Sequence, residues 1–511
     1  MTPEQKALYN TETALPKKVE GKIQHYNLAM RVLRNHHIIT LQDTSEMLHY
    51  QDGYYQTGGK EIVKEHTQTL LGEEAKRYDI LEVLGHVERL TYTPRNKLAN
   101  KPNTLNLENG LLDLDTQNFK KHTPNHLSTI QLPIKHEPKA DCPAFKKFLG
   151  EILDEKDHNA VQELFGYCLW KTYAIRKAFM LIGSGANGKS TLLNVLAAMI
   201  GENNISGVSL QSLGTDRFAL GRFKDKLANI YADIPSKGIT NTGTFKMLTG
   251  NDPLEADQKF KQPVPFRNHA KLIFSCNQVP ATTDDTDAFY SRWIFLNFPH
   301  QFPEEDPNTN PHLVNKLTTP SELSGILNWA LEGLHRLKKQ GKFSNSKSTE
   351  EIRERYIRLS DPVQSFLLDC TTDEDPNAVT PKAEFYAAYI DYCHDKSLPT
   401  TSNNAFSRKL KELLGSRLGE ERPKIGKQRK HCWKGITLVQ DAKNLQTTLP
   451  TKTVQEVQDV QQLSHFNTIQ THDIKVEKNP DNLDTVDTVP PQATHKRPAF
   501  HPIPTTKEQP T

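Results

Sequence analysis

The sequence predicts an α/β fold: a strand-and-helix core, preceded by a mixed α+β module and followed by a smaller, mainly helical unit. Three observations carry this expectation. Short apolar runs, each ending in glycine or a polar residue, recur at 178–183, 227–233 and 271–277, the first followed directly by an apolar-periodic helix at 192–200. Ahead of them, apolar and polar groups alternate around Asp52-Gly53 and Asn109-Gly110, the dipeptides of tight hairpins. Behind them, an aromatic helical pattern, a second helix and the run WKGITL form a unit that ends near residue 438.

Length and composition agree. A chain of 511 residues suggests about three domains. Hydrophobic residues make up 36% and charged residues 24%, which excludes collagenous and mucin-like chains. Lys+Arg number 64 against 61 for Asp+Glu, so the chain is no polycation, and any nucleic-acid surface must be a local concentration of charge. Its apolar runs fall short of the roughly 20 residues of a spanning helix, so no membrane association is expected. The start, MTPEQKALYNTETALPKK, has no apolar segment of secretory type, and six dispersed cysteines make no disulfide framework. A cytoplasmic location in a host cell interior is the expectation. Cys393-His394 and His431-Cys432 lack CxxC spacing and are not expected to hold zinc.

Taken in order, residues 1–20 read as a flexible lead-in and 21–150 as the mixed module, with helical spacing over 62–90. Helical patterns follow at 144–173, with Pro143 at a helix start, where a missing N–H costs nothing. The core extends over 151–345 and includes a helix at 321–337; the polar run GKFSNSKSTEE reads as a linker or exposed turn. Residues 361–438 make the smaller unit, with aromatic Phe385, Tyr386, Tyr389 and Tyr392 on one helix and a second helix over 405–414. Residues 440–511 turn to Thr, Gln, Asp, Val and Pro, too little apolar surface to offset ordering entropy, and are expected to be disordered, with at best a short helix over 454–463.

The decisive motif is Gly183, Ser184, Gly185, Ala186, Asn187, Gly188, Lys189, Ser190 and Thr191, which matches G-x-x-x-x-G-K-[ST] between a strand and a helix. Glycines permit a backbone that points successive N–H groups at an anion, and the helix adds its positive end. Lys189 would reach the β and γ phosphates of ATP and Ser190 would ligate Mg²⁺. The next apolar run ends in Asp233, a second candidate Mg²⁺ ligand, and the third ends in Asn277, which can orient a water or the γ-phosphate. Arg292 opens the following apolar run and could stabilise the phosphoryl group held by a neighbouring subunit.

With these residues in place, the order of motifs resembles superfamily 3 helicases, above all the C-terminal helicase part of phage, plasmid and poxvirus primase–helicases. The likeness runs from about residue 36 to 438 and rests on NLENGLLDL, FGYCLW, GSGANGKST, ANIYADIP, FKMLTGNDPLEADQKFKQPVPF, KLIFSCNQVP and DAFYSRWIFLNFP. It implies an AAA+-like P-loop NTPase core that forms a homo-oligomeric ring, usually hexameric, on single-stranded or forked DNA and hydrolyses ATP between subunits. By the same likeness, Lys189, Ser190 and Thr191 are Walker A, Asp233 is Walker B, Asn277 is sensor 1 and Arg292 is the finger. Lys259, Phe260 and Lys261 would sit on a hairpin in the ring's channel, two cations for phosphates around a ring that stacks on a base. Two departures stand out: Asp233 has no acidic neighbour in Walker B, and Ser291 replaces a second arginine beside the finger.

The N-terminal part resembles a helicase-associated module and the C-terminal part a winged-helix domain. There Arg408 and Lys409 would open a recognition helix, with Lys424, Lys427, Arg429 and Lys430 on the wing. Only about 20 residues precede the first module, so primer synthesis is expected from a separate primase. The expectation is a DNA helicase acting in replication of a virus, plasmid or integrated mobile element. Its rivals are an AAA+ loader or remodeller that does not unwind, and a non-enzymatic origin-binding assembly protein.

Overall fold

The computed structural model describes residues 18–19, 22–98, 102–235, 237–258, 261–302, 310, 312–373, 375–396, 398–425 and 428–439. The expected disordered tail, 440–511, lies outside them, as does most of the lead-in. The architecture is mixed α/β.

The first module comprises α1 (His25–Asn35), β1 (Ile38–Leu41), β2 (Met47–Gln51), β3 (Tyr54–Thr57), α2 (Gly59–Leu71), α3 (Arg77–Leu90) and β4 (Tyr92–Thr93). Its strands form a sheet in the order β3–β2–β1–β4. Gln51 pairs with Tyr54, so Asp52 and Gly53 are the two loop residues, both left-handed at φ 51° and 94°, as the dipeptide predicts. The helical stretch expected over 62–90 is two helices, because Gly72 adopts φ 59° at the end of α2. Leu28, Val32, Val63, Val83 and Val87 fill the space between the three helices.

A three-stranded antiparallel sheet follows: β5 (Thr104–Leu107), β6 (Gly110–Asp113) and β7 (Phe119–Lys120). Leu107 pairs with Gly110, so the turn residues are Glu108 and Asn109, one position earlier than Asn109-Gly110 suggests. Gly110 is needed for a close approach, since a Cβ there would lie 2.5 Å from the Lys120 carbonyl. Leu105, Leu107, Leu112, Leu132 and Ile134 share one apolar cluster with α4 (Pro143–Ile152) and α5 (Glu155–Leu169) and with the central sheet. Packing therefore does not break at residue 150. Pro143 stands at the start of α4, and the Glu322 carboxylate accepts the free N–H groups of Ala144 and Phe145.

The central sheet contains β8 (Ala178–Ile182), β9 (Ile205–Ser206), β10 (Ala228–Tyr231), β13 (Lys271–Cys276) and β14 (Trp293–Asn297), with β11 (Pro253–Gln258) and β12 (Lys261–Arg267) forming a separate antiparallel hairpin. Its order is β9–β10–β13–β8–β14, every pair parallel. A parallel sheet is covered on both faces, and the residues alternate accordingly. Phe179 and Leu181 face α6 (Lys189–Ile200), α5 and α9 (Pro320–Gln340), while Ala178, Met180 and Ile182 join Phe274, Trp293 and Phe295 on the other side. Helices α5 and α9 touch backbone to backbone: a Cβ on Gly166 would stand 2.3 Å from the Ala330 carbonyl. Between β10 and β14 lie α7 (Gly243–Gly250) and the short α8 (Asp287–Tyr290).

The run GKFSNSKSTEE is not a linker. Phe343 is buried against Tyr167 and Phe179, and Ser344 donates from both its N–H and its hydroxyl to the fully buried Glu163 carboxylate. Arg336 and Gln340 complete that carboxylate's partners at 2.7 Å each. The rest of the run enters α10 (Thr349–Ser360) through a capping box of Ser348 and Glu351, and Ile352, Tyr356 and Leu359 pack on the sheet.

The last unit contains α11 (Pro362–Cys370), β15 (Val379–Pro381), α12 (Lys382–Lys396), α13 (Asn403–Leu414), β16 (Gly419–Glu421), β17 (Lys424–Ile425), β18 (Gln428–Arg429) and β19 (Cys432–Lys434). Strands β15, β19 and β16 form an antiparallel sheet with β19 central, and Phe366, Phe385, Tyr389, Phe406 and Trp433 make the core beneath it. Replacing Glu163 by alanine would leave the Arg336 guanidinium and three other donors without their acceptor; a loss of about 3 kcal/mol in urea unfolding is the expected result.

Candidate phosphate-binding site

Strand β8 ends at Ile182, and the chain turns through residues 183–188 into α6. Gly185, Ala186 and Gly188 take left-handed backbone at φ 110°, 47° and 81°. At Gly188 a side chain is doubly excluded, because a Cβ would stand 2.6 Å from Ile152 Cγ2 of α4. The loop is held from behind by the segment after β14. Gln301 Nε2 donates to Ser184 Oγ at 2.6 Å, and the Phe302 N–H donates to the Ala186 carbonyl at 2.6 Å.

Lys189, the first residue of α6, is buried, and its ammonium turns back over the loop. It donates to the Gly183 carbonyl at 2.7 Å and to Asn187 Oδ1 at 2.9 Å, and stands 3.5 Å from Asn277 Oδ1. Burial lowers its pKa, opposed by the charge of Asp233. A cavity of about 360 Å³ opens in front, lined by residues 185–191 together with Ala232, Asp233, Ser275 and Asn277. The sequence-expected Lys189, Ser190, Thr191, Asp233 and Asn277 therefore meet in one place.

Asp233 adopts φ 58°, rare for a residue with a side chain. The turn is pinned where the next N–H, that of Ile234, donates to the Ser275 carbonyl of β13 at 2.8 Å. The exposed Asp233 carboxylate forms no ion pair among the described residues, and it is the single acid among the described residues lining the cavity. With the exposed Ser190 hydroxyl it offers hard oxygen donors of the kind Mg²⁺ takes.

Arg292 lies elsewhere. It precedes β14, and its carbonyl accepts the N–H of Ala178, the first residue of β8. That is the opposite edge of the sheet from the cavity. The half-buried guanidinium donates to Thr249 Oγ1 at 2.8 Å, to the Ala288 carbonyl, and to the Lys246 carbonyl at 3.4 Å. Burial lowers its pKa, and the nearby charge of Arg176 acts in the same direction.

Of the residues expected at DNA, Lys259, Phe260 and Lys427 lie outside the described residues. Lys261 opens β12, whose hairpin with β11 is tied at its base by Arg267 to the Asn251 carbonyl and along its side by Arg217 to Asp257. Arg408 and Arg429 are exposed. Lys409 is engaged within its own unit, with Asp361 at 3.4 Å and Glu412 at 2.9 Å, and Lys430 pairs with Glu384 at 3.0 Å. Sequence reasoning missed Ser275, Gln301, Phe302 and Ile152, all brought to the loop by tertiary packing. Among the described residues no helix is long and apolar enough to cross a membrane.

A mixed α/β chain with a glycine-rich loop and a polar cavity at the C-terminal ends of parallel strands is the class that fold and site define. Residues 35–154 match the family described as D5 N terminal like, and residues 181–292 match a family of unknown function, DUF5906. Over 210 residues the chain is 27% identical to "Putative helicase L207/L206" of Acanthamoeba polyphaga mimivirus, covering 39% of this chain and 22% of that protein. Over 222 residues it is 25% identical to "Putative helicase 121R" of Invertebrate iridescent virus 3, covering 40% and 24%. The chain thus spans about a quarter of the length of the curated relatives it matches. The apo structure of the NrS-1 C terminal region is similar over 79% of this chain and 97% of that one, at 11% identity and a TM-score of 0.44. The D5-type match and the viral relatives bear out the resemblance to the phage and viral primase–helicase family.

Gly188→Ala tests the loop directly. Left-handed strain and the clash with Ile152 together should weaken binding of a triphosphate at least tenfold in equilibrium titration, while the far-ultraviolet circular dichroism stays unchanged.

Proposed function

We propose that this chain is an ATP-dependent DNA helicase of superfamily 3, with an AAA+-like P-loop core, acting as a homo-oligomeric ring in the replication of a virus, plasmid or integrated element. One observation carries the reading. Lys189, Asp233 and Asn277 stand together at the C-terminal ends of three parallel strands, whereas Arg292 stands at the N-terminal edge of the same sheet. A sheet of one polarity keeps that arginine from its own cavity, which supports the reading that it serves the nucleotide of an adjoining protomer.

In this reading the backbone of residues 185–188 receives the phosphates, and Lys189 exchanges its contacts with Gly183 and Asn187 for β- and γ-phosphate oxygens. Ser190 and Asp233 would hold Mg²⁺, which would supply charge neutralisation at the phosphates. Asn277 orients the attacking water. With one acid among the described cavity residues, the expected departure from a paired Walker B persists in space. The order helix, strand, two helices, strand, hairpin and central strand in the last unit supports a winged-helix reading, with Arg408 and Arg429 as its open cations.

Mixing two inactive variants tests the division of labour. Lys189→Ala lacks a working cavity but keeps its arginine; Arg292→Ala keeps the cavity and should lose about 10³-fold in kcat. Subunits that exchange at random recreate a complete interface one time in four, so the mixture should regain about a quarter of wild-type ATPase. Absence of recovery in mixed oligomers would rule out catalysis between protomers. Replacing Lys259 and Lys261 by alanine should leave basal ATPase intact and abolish unwinding of a forked duplex; full unwinding removes the hairpin from the DNA path.

A further inference from the structure

We infer that a second cavity, of about 740 Å³, between β14, α10 and the C-terminal unit binds a small oxyanion-bearing ligand independently of the phosphate loop. The inference stands whether or not the chain is a helicase. The volume lies in the usual range for ligand sites. Five basic and three acidic residues line it, and the basic ones differ in what they touch. Arg358 is paired with Glu354 and Asp369. Arg355, one turn earlier on α10, has no ion pair among the described residues; its guanidinium sits 5.8 Å from the centroid of the Phe295 ring. Burial lowers its pKa, with only Asp157 opposing. The Asp157 carboxylate already accepts from Asn345 Nδ2 at 3.1 Å. Exposed Lys347 and Lys396 stand at the cavity without ion pairs among the described residues.

The floor points to the same chemistry. Trp293 is 0% exposed, lines the cavity, and its indole N–H has no acceptor among the described residues. The Ser346 hydroxyl, also lining it, is buried without a partner. An indole N–H and a guanidinium can only donate, and a buried donor without an acceptor is destabilising. Acceptor oxygens suit both; Lys156 is paired with Asp154, and the cations without ion pairs among the described residues, Arg355, Lys347 and Lys396, select oxygens carrying negative charge. The ligand is therefore a phosphate- or carboxylate-bearing group, supplied either as a free small molecule or by a nucleic-acid backbone. Asn297 lines both this cavity and the space beside Gly183 and Ser184, so an occupant would sit one strand end away from the phosphate loop.

The test is calorimetric titration of the full chain carrying Lys189→Ala with inorganic pyrophosphate. The expected result is retained binding that Arg355→Gln and Trp293→Phe each weaken about tenfold. The surface pair Lys347→Ala with Lys396→Ala, which cannot disturb the core, should weaken it by a similar factor. Absence of binding in the Lys189→Ala background, or equal binding with and without Arg355→Gln in a chain of unchanged melting temperature, overturns the site. Competition by single-stranded oligonucleotide separates the sources: displacement of pyrophosphate supports a backbone phosphate as occupant, and undisturbed binding supports a free oxyanion.

Discussion

Parallel alignment of five strands is the constraint from which the chemistry of this chain follows. Ile182 pairs with Cys276 and with Asn297, so β8, β13 and β14 end level with one another. Whatever the chain places just past those ends arrives in a common plane: the loop after β8, Asn277 after β13, and the segment after β14 that clamps the loop through Gln301 and Phe302. Asp233 reaches the same plane from β10 by a left-handed turn fastened to Ser275. Nothing in this arrangement requires a long excursion of backbone, which is why a cluster of short polar side chains can be held with precision.

Support for that plane comes from further away than the strands themselves. The β5–β7 sheet and α4 share an apolar cluster with α5, α6 and α9, and Ile152 of α4 presses on the loop at Gly188. The region matching the D5-type family therefore ends inside the core that carries the Lys189 cavity, and the two cannot be separated at residue 150 without exposing Phe145, Phe148 and Leu149. A similar economy governs α5 and α9, where glycine lets two backbones touch.

Local chemistry was readable in the amino-acid sequence and distant chemistry was not. The glycine-rich loop, Asp52-Gly53 and the helix start at Pro143 depend on neighbours in the chain, so residue type and spacing suffice. The second hairpin turns one residue earlier than its dipeptide suggests, and the break after α2 falls at a single left-handed glycine, both weaker local signals. GKFSNSKSTEE looks like a linker by composition, yet its one aromatic residue is a core residue and Ser344 answers a buried carboxylate about 180 positions earlier. Lys409 and Lys430 looked like open cations, and their partners, Asp361 at the start of α11 and Glu384 on α12, come from distant parts of the unit. Cations of that kind cannot be told from free ones until the fold is known.

The hold on Arg292 has a mechanical corollary. Its guanidinium braces the last turn of α7 through Thr249 and Lys246, and that turn leads within three residues into β11. An arginine drawn outward toward another molecule would leave those oxygens without their donor and loosen the root of the β11–β12 arm. In the proposed ring, that side chain would act as a latch, tying the posture of the arm to the adjoining protomer's site.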